Sequence, residues 1–472
     1  MDGTGQGRPA GGSSAWGTAP WTALEALGEQ IPPGWIEEAL RHTGRESRRV
    51  RRLPAAAVVW LVIAMGLFSS GDVPTIWRQV AGTLRALREA GRGLKPPAKS
   101  AFSAARNRLG PRPLRLLFRA AAGPVADRTT PGAFRHGLRV MAIDAVSLDA
   151  PDTPQNRAAF GGSSNRIDGE IVAGAYPRPT LCLLEEAGTH VVCEALVRPF
   201  KCDEVAAGRA LLRRTPAGSL VLMDRRYYAR SVLGEALRLG LAVLIRVSSQ
   251  PRFTPLREFP DGSVLARIEQ TRPGDGQPGP MIVRVLRYTL DDPNRSGHGE
   301  EHRLVTTLRD YQLFPATELI DLYHQRWEIE IANDEVKTHQ LAASRPTGLR
   351  SLTPRGVVQE IYGLLLAYNG VRRLMHAAAR PHGLDPRRLS FLNALRVIRD
   401  ATPFLRAAPP DQIPLLLSHM LRQIAQHTLP RRANRINPRV VKRKMAHYLA
   451  KRPERLHPPT PKPFANAVVL LK

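Results

Sequence analysis

Apolar residues in this chain change their spacing near residue 136. From residue 21 to about 130 they recur at three- and four-residue intervals, the period of a helix with one buried face. Helices are expected over 21–27, 35–42, 54–68, 76–87 and 114–122. The run at 54–68 is the most apolar of the chain. It is too short to span a bilayer comfortably, so it reads as a buried core helix. Past residue 136 the apolar runs become continuous. Residues 138–144, bounded by Gly137, have the texture of a central strand. Residues 171–176 and 180–184 suggest a second strand and 190–196 a third. Residues 219–224 form another buried strand and 241–247 a further one, with helices at 203–214 and 229–239. Three early strands followed by helix and strand in alternation predict an α/β fold, a mixed sheet with helices on its faces. Residues 248–310 interrupt the pattern. Short strands at 264–268, 281–288 and 302–308, with turn-rich connectors between them, predict a β-rich insertion. A long helix is expected over 316–341, and further helices over 356–379 and 389–398.

Length and composition fit this picture. A chain of 472 residues with 43% hydrophobic content can build large cores in several domains. The expected division is 1–20, Gly/Ser/Pro-rich and disordered without a signal peptide; 21–130, helical; 131–400, α/β with the insertion at 248–310; and 401–472, a basic C-terminal region. The formal charge of +28 points to a polyanion partner, with nucleic acid foremost. Arg78, Arg85, Arg88, Lys99, Arg106 and Arg108 lie among the N-terminal helices, which suits docking on phosphates. The segment 431–455 carries ten further Lys and Arg residues. Cys182, Cys193 and Cys202 have no metal-binding spacing and read as reduced thiols of a cytosolic protein.

Candidate chemistry sits where three carboxylates can meet. Asp144 and Asp224 each end an apolar strand-like run, where a buried carboxylate is costly unless it is paired or metal-bound. The third comes from the helix over 316–341. At about 100° per residue, Tyr323, Arg326, Glu330 and Lys337 fall on one face about 60° wide. Asp334 shares that face and rivals Glu330, as Asp149 and Asp152 rival Asp144. Glu328 and Glu335 point away and are expected in solvent. Trp327 is a candidate for base stacking or for the core. Three hard oxygen donors suit Mg²⁺ or Mn²⁺, and two such ions could activate an attacking oxygen and stabilise a leaving one.

The spacing Tyr, two residues, Arg, three residues, Glu, six residues, Lys resembles the YREK signature of insertion element 4 family transposases. Around it, Leu319-Ile-Asp-Leu-Tyr-His-Gln-Arg-Trp-Glu-Ile-Glu330 is similar to the family's third acidic block. Met141-Ala-Ile-Asp144 with Pro151-Asp-Thr-Pro-Gln-Asn156 resembles the first block, and Asp224-Arg-Arg-Tyr-Tyr228 the second. Residues 27–77 resemble the family's N-terminal domain. The resemblance implies a ribonuclease H-like fold with a β-rich insertion, and a DDE triad of Asp144, Asp224 and Glu330 holding two divalent cations. It also implies that Tyr323, Arg326 and Lys337 contact DNA phosphates, and it makes Trp327 a candidate for handling a flipped base. Two departures stand out. Ala145-Val146 replaces Gly-Thr after the first Asp. Arg226 stands where the family has glycine, which would strain the strand end if that position needs a positive φ.

The expected protein is a cytoplasmic bacterial DNA transposase, nucleoid-associated when bound to DNA. It would cut at terminal inverted repeats, join 3′-hydroxyls to target DNA and act as a synaptic homodimer, with no membrane partner. The alternatives are a catalytically inactive DNA-binding copy and a structure-specific nuclease on the same fold.

Overall fold

The computed structural model describes residues 31–47, 53–69, 71–81, 97–167, 170–269, 279–293, 295, 297–341, 348–430 and 462–471. The expected helix at 21–27 and the basic segment 431–455 lie outside the described residues. Five helices come first: α1 (Pro33–His42), α2 (Ala55–Leu67), α3 (Val73–Ala81), α4 (Lys99–Leu109) and α5 (Arg112–Ala121). α2 carries no polar side chain, and a helix apolar all round must be covered all round. It crosses a later helix, Pro354–Ala379, backbone against backbone. A Cβ at Gly363 would lie 2.6 Å from the Val62 carbonyl oxygen, and one at Gly66 would lie 2.8 Å from Leu364 Cα. The N-terminal helices thus share one core with the helices of 354–425 and with one face of the sheet. Arg106, expected on a basic surface, is turned into this interface instead. Its Nε donates to Gln359 Oε1 at 2.9 Å and its Nη2 to Ser351 Oγ at 2.8 Å. α4 packs against the later helix, and Arg106 sits on the contacting side.

The central sheet begins with β1 (Phe134–Arg135) and β2 (Leu138–Ser147). After α6 (Pro154–Phe160), β3 (Ser164–Ile167) and β4 (Glu170–Ala173) pair only with each other. The second expected strand therefore splits in two. Pro177 and Pro179 separate the hairpin from the main-sheet strand, because proline cannot donate to a ladder. There follow β5 (Thr180–Glu186), β6 (Val191–Arg198), α7 (Glu204–Leu212), β7 (Ser219–Met223), α8 (Arg230–Arg238) and β8 (Ala242–Val247). The strand order is β6-β5-β2-β7-β8, with β2, β7 and β8 parallel and β5 and β6 antiparallel. This is the ribonuclease H-like arrangement, and α7 and α8 supply the crossovers that parallel neighbours require.

The insertion is β-rich as expected, and it extends the same sheet. β9 (Thr254–Glu258), β10 (Val264–Ile268), β11 (Met281–Leu290) and β12 (His302–Thr306) continue from β8 in the order β12-β11-β10-β9. Among the described residues eleven strands make one sheet.

The long helix expected over 316–341 is broken twice. α9 (Ala316–His324) ends at Gln325-Arg326, where the Arg326 amide bonds back three residues to Tyr323. α10 (Trp327–Asp334) then passes into a π turn, Glu335–Leu341. A π turn takes more residues than an α turn, so the 100° step no longer places side chains beyond Asp334. α11 (Pro354–Ala379), α12 (Phe391–Ala407) and α13 (Ile413–Gln426) follow. The last described segment, α14 (Phe464–Ala467) and β13 (Val468–Leu470), returns to the sheet. β13 pairs with β11, and Phe464 stacks on His324 of α9 with ring centroids 3.6 Å apart. Among the described residues no helix is long and apolar enough to cross a membrane.

Candidate active site

Parallel pairing in register brings the first two acids together. Ile143 of β2 pairs with Met223 of β7, so Asp144 and Asp224 stand side by side. Only Asp224 lies just past a strand end. Asp144, expected to end its strand, lies inside β2, which runs on to Ser147 because β5 continues to pair with it. Asp224 caps the 3₁₀ turn that follows β7, its Oδ1 accepting from the Arg226 amide at 3.1 Å. Arg226 brings no strain. The only non-glycine residues with positive φ among those described are His136 and His190. The Arg226 side chain lies exposed and pairs with Glu204 at 2.9 Å. Because exposed pairs contribute little, Arg226→Ala is expected to change unfolding free energy by no more than about 1 kcal/mol in a denaturant melt.

α9 and α10 bring in the third acid. Tyr323 is buried, and its hydroxyl donates to the Met223 carbonyl at 3.2 Å, bracing α9 against the end of β7. Arg326 sits at the break between the helices. Its Nη2 donates to Glu330 Oε1 at 3.0 Å, and its Nη1 lies 3.9 Å from Asp144 Oδ2. Asn333, one turn beyond Glu330, donates from Nδ2 to Asp144 Oδ2 at 3.0 Å. Asp144, Asp224, Glu330, Tyr323 and Arg326 therefore meet in one place. Lys337 does not join them and lies exposed on the π turn. The Trp327 side chain lies outside the described residues.

The rivals are accounted for. Asp334 is exposed and accepts from Thr338. Asp149 pairs with Arg178 and Asp152 with Arg157. Glu335, expected in solvent, is instead buried against α11, where it accepts from the Tyr368 hydroxyl. The π turn rotates it inward. Sequence reasoning missed Asn333, although its place three residues after Glu330 was a usable signal.

The electrostatics are those of a crowded acidic site. Burial pushes the Asp144 carboxyl up to about 6; Arg326 opposes this, and the charges of Asp224 and Glu330 add to it. Burial pushes Tyr323 up to about 12. At Arg326 burial is outweighed by Tyr323, Asp144, Glu330 and Asp224, which hold the guanidinium charged. Among the described residues no three His, Cys, Asp or Glu side chains are spaced to enclose one ion, and Arg326 stands between Asp144 and Glu330. The donor chemistry nevertheless fits a hard divalent cation: three carboxylates, beside a buried Asn333 Oδ1 with no partner among the described residues. Arg326 would move aside as such an ion entered.

Comparison with known proteins identifies the family. Residues 21–119 match the family described as insertion element 4 transposase N-terminal, and residues 135–369 match the transposase DDE domain. The transposase InsG for insertion sequence element IS4 of Escherichia coli (strain K12) is 30% identical over 428 residues, covering 90% of this chain and 93% of its own. The putative transposase InsZ of the same organism is 30% identical over 220 residues, covering 45% of this chain and 68% of its own. A solved piggyBac transposase synaptic complex with hairpin DNA covers 87% of this chain and 86% of its own, at 11% identity and a TM-score of 0.38, which is too loose a likeness to build on. A DDE transposase domain implies divalent-metal use. With both family domains present in order and a relative aligned along nearly its whole length, this chain belongs to the insertion element 4 family of DDE transposases.

Proposed function

We propose that Asp144, Asp224 and Glu330 are the catalytic carboxylates of this transposase. The observation that carries this reading is the Ile143–Met223 register, which sets Asp144 within β2 beside Asp224 at the end of β7, with Arg326 pairing with both Asp144 and Glu330. The substrate is DNA bearing the terminal inverted repeats of the element, and then the target DNA. In the first step water attacks an end phosphodiester, and its P–O bond breaks to leave a 3′-hydroxyl. In the second step that hydroxyl attacks a target phosphodiester, forming the new P–O bond as the target's 3′-oxygen leaves. Two divalent cations, Mg²⁺ or Mn²⁺, held by the three carboxylates would supply Lewis-acid activation and neutralise charge on the leaving oxygen.

The chain's own residues divide the remaining work. Tyr323 fixes the strand end that carries Asp224. Arg326, once displaced from the carboxylates, is within reach of a bound phosphate and would pair with it. Lys337 adds positive charge further along the DNA path, and Trp327 remains a candidate for base contact. Two copies would act together in the synaptic complex, in the cytoplasm on nucleoid DNA.

The test uses DNA ending in the inverted repeats that bracket the gene. Wild type should nick these ends with Mg²⁺ and join them to a second duplex, whereas Glu330→Ala should bind the ends without nicking. Equal cleavage by both proteins would sink the triad. Binding without cleavage by wild type would favour an inactive copy, and junction cutting without joining a structure-specific nuclease.

A further inference from the structure

A second row of charge lies behind the three carboxylates, and nothing in the reaction above uses it. Glu335 opens the π turn directly after the helix bearing Glu330 and Asn333. It is 6% exposed and accepts from the Tyr368 hydroxyl at 3.1 Å and from the Arg372 guanidinium. Arg372 and Tyr368 stand four residues apart on α11, hence on one face. Arg372 is 1% exposed, and it also donates to Tyr368 Oη at 3.3 Å and to His190 Nδ1 at 2.6 Å. Glu185 of β5 lies buried nearby. Burial first, and then the charges of Asp144 and Glu335, push its carboxyl well above the usual range. Arg372 is thus the cation that makes a charged Glu335 tolerable in this acidic interior.

A buried ion pair is a poor source of net stability but a strong constraint on geometry, since leaving either partner alone is costly. Here the constraint falls on a π turn, a helix form that is rare unless something holds it. We propose that the Glu335–Arg372 pair is a positioning device that fixes the register of α10, so that Asn333 holds Asp144 while Glu330 faces it. The Asn333 bond to Asp144 at 3.0 Å lies two residues before the pair, and Glu330 lies five before it. A slip of one residue at the π turn would rotate both side chains by about 100° away from Asp144.

The proposal rests on the assignment of Asp144 and Glu330 as catalytic. It is tested by the double variant Glu335→Leu/Arg372→Leu in the full chain. Replacing both charges with apolar residues of similar bulk should leave folding intact. The thermal midpoint should stay close to wild type, and binding of inverted-repeat DNA in Ca²⁺ should be unchanged. The Mg²⁺ concentration for half-maximal nicking should rise about tenfold, equivalent to about 1.4 kcal/mol in cation binding. Asn333→Ala, which leaves the ion pair in place, should produce the same shift. If the double variant does not fold, Arg372→Lys takes its place: it keeps the charge but cannot donate to Glu335, Tyr368 and His190 together. Wild-type Mg²⁺ dependence in the folded ion-pair variant overturns the proposal. Retained nicking by Glu330→Gln would instead strike the active-site assignment and leave the positioning question apart from it.

Discussion

Asp144→Asn should abolish cleavage and, in EDTA, make the protein more stable than wild type. The carboxyl titrates at about 6 in the folded chain because it is buried and faces Asp224 and Glu330. Unfolded, it would titrate near 3.9. Below about pH 3 it is protonated in both states and carries no penalty. Between about pH 4 and 6 the folded state holds the extra proton, so stability falls as pH rises, and above 6 the full penalty applies. Two pKa units correspond to about 3 kcal/mol, with the opposing attraction of Arg326 already counted. Asparagine keeps an oxygen for Asn333 Nδ2 and drops the charge. Denaturant melts at pH 8 in EDTA should therefore favour Asp144→Asn by about 3 kcal/mol, and the difference should vanish below about pH 3. Adding Mg²⁺ should raise the midpoint of wild type and not of the variant. Nicking should fall at least about 10³-fold, since several kcal/mol of charge stabilisation depend on the ligand. A variant less stable than wild type in EDTA at pH 8 would mean that Asp144 does not carry the burial and like-charge penalty that this arrangement requires.

Gly363→Ala should be the most damaging single-methyl change in the helical core. α2 and α11 touch through backbone, and the new Cβ would stand 2.6 Å from both Val62 O and Val62 Cγ1. A side chain could rotate away, but a carbonyl in a fully buried helix cannot. Overpacking costs about 1–3 kcal/mol even where rotamers adjust, and this exceeds the gain of about 1 kcal/mol from helix propensity. A net loss of about 2 kcal/mol, read as a lower urea midpoint, is expected. The reciprocal Gly66→Ala meets Leu364 Cα at 2.8 Å and should behave alike. An unchanged midpoint in both would show that the helices can separate without cost.

Much of the fold was legible because period and continuity mark burial directly. The run at 54–68 became a helix buried on every side, and 138–144, 219–224 and 241–247 became the parallel core of the sheet. The insertion at 248–310 was visible from its turns, but its continuation of the sheet was not, since edge-to-edge hydrogen bonding leaves no mark on side-chain pattern. α13 and the C-terminal strand β13 drew no expectation at all. β13 is three residues long and is held by β11, with Phe464 just before it stacked on His324. α13 is a regular helix of 14 residues packed on α11 and α12, and its apolar positions went unread.

The sequence by itself determined the α/β class, the family, and the three acids with Tyr323 and Arg326 that meet beside β2 and β7. Carboxylates after apolar runs and signature spacing are local facts, and locality is what a sequence records, though it did not show that β2 runs on past Asp144 to Ser147. Only the tertiary structure decided that Tyr323 braces a strand end, that Lys337 stands apart, that Arg106 and Glu335 turn inward, and that Asn333 holds Asp144. Each of these depends on the break at Arg326, the π turn after Asp334 or the packing of α4 and α10 on distant elements. Helical periodicity assumes an unbroken helix, and burial depends on what lies opposite, which no local pattern contains.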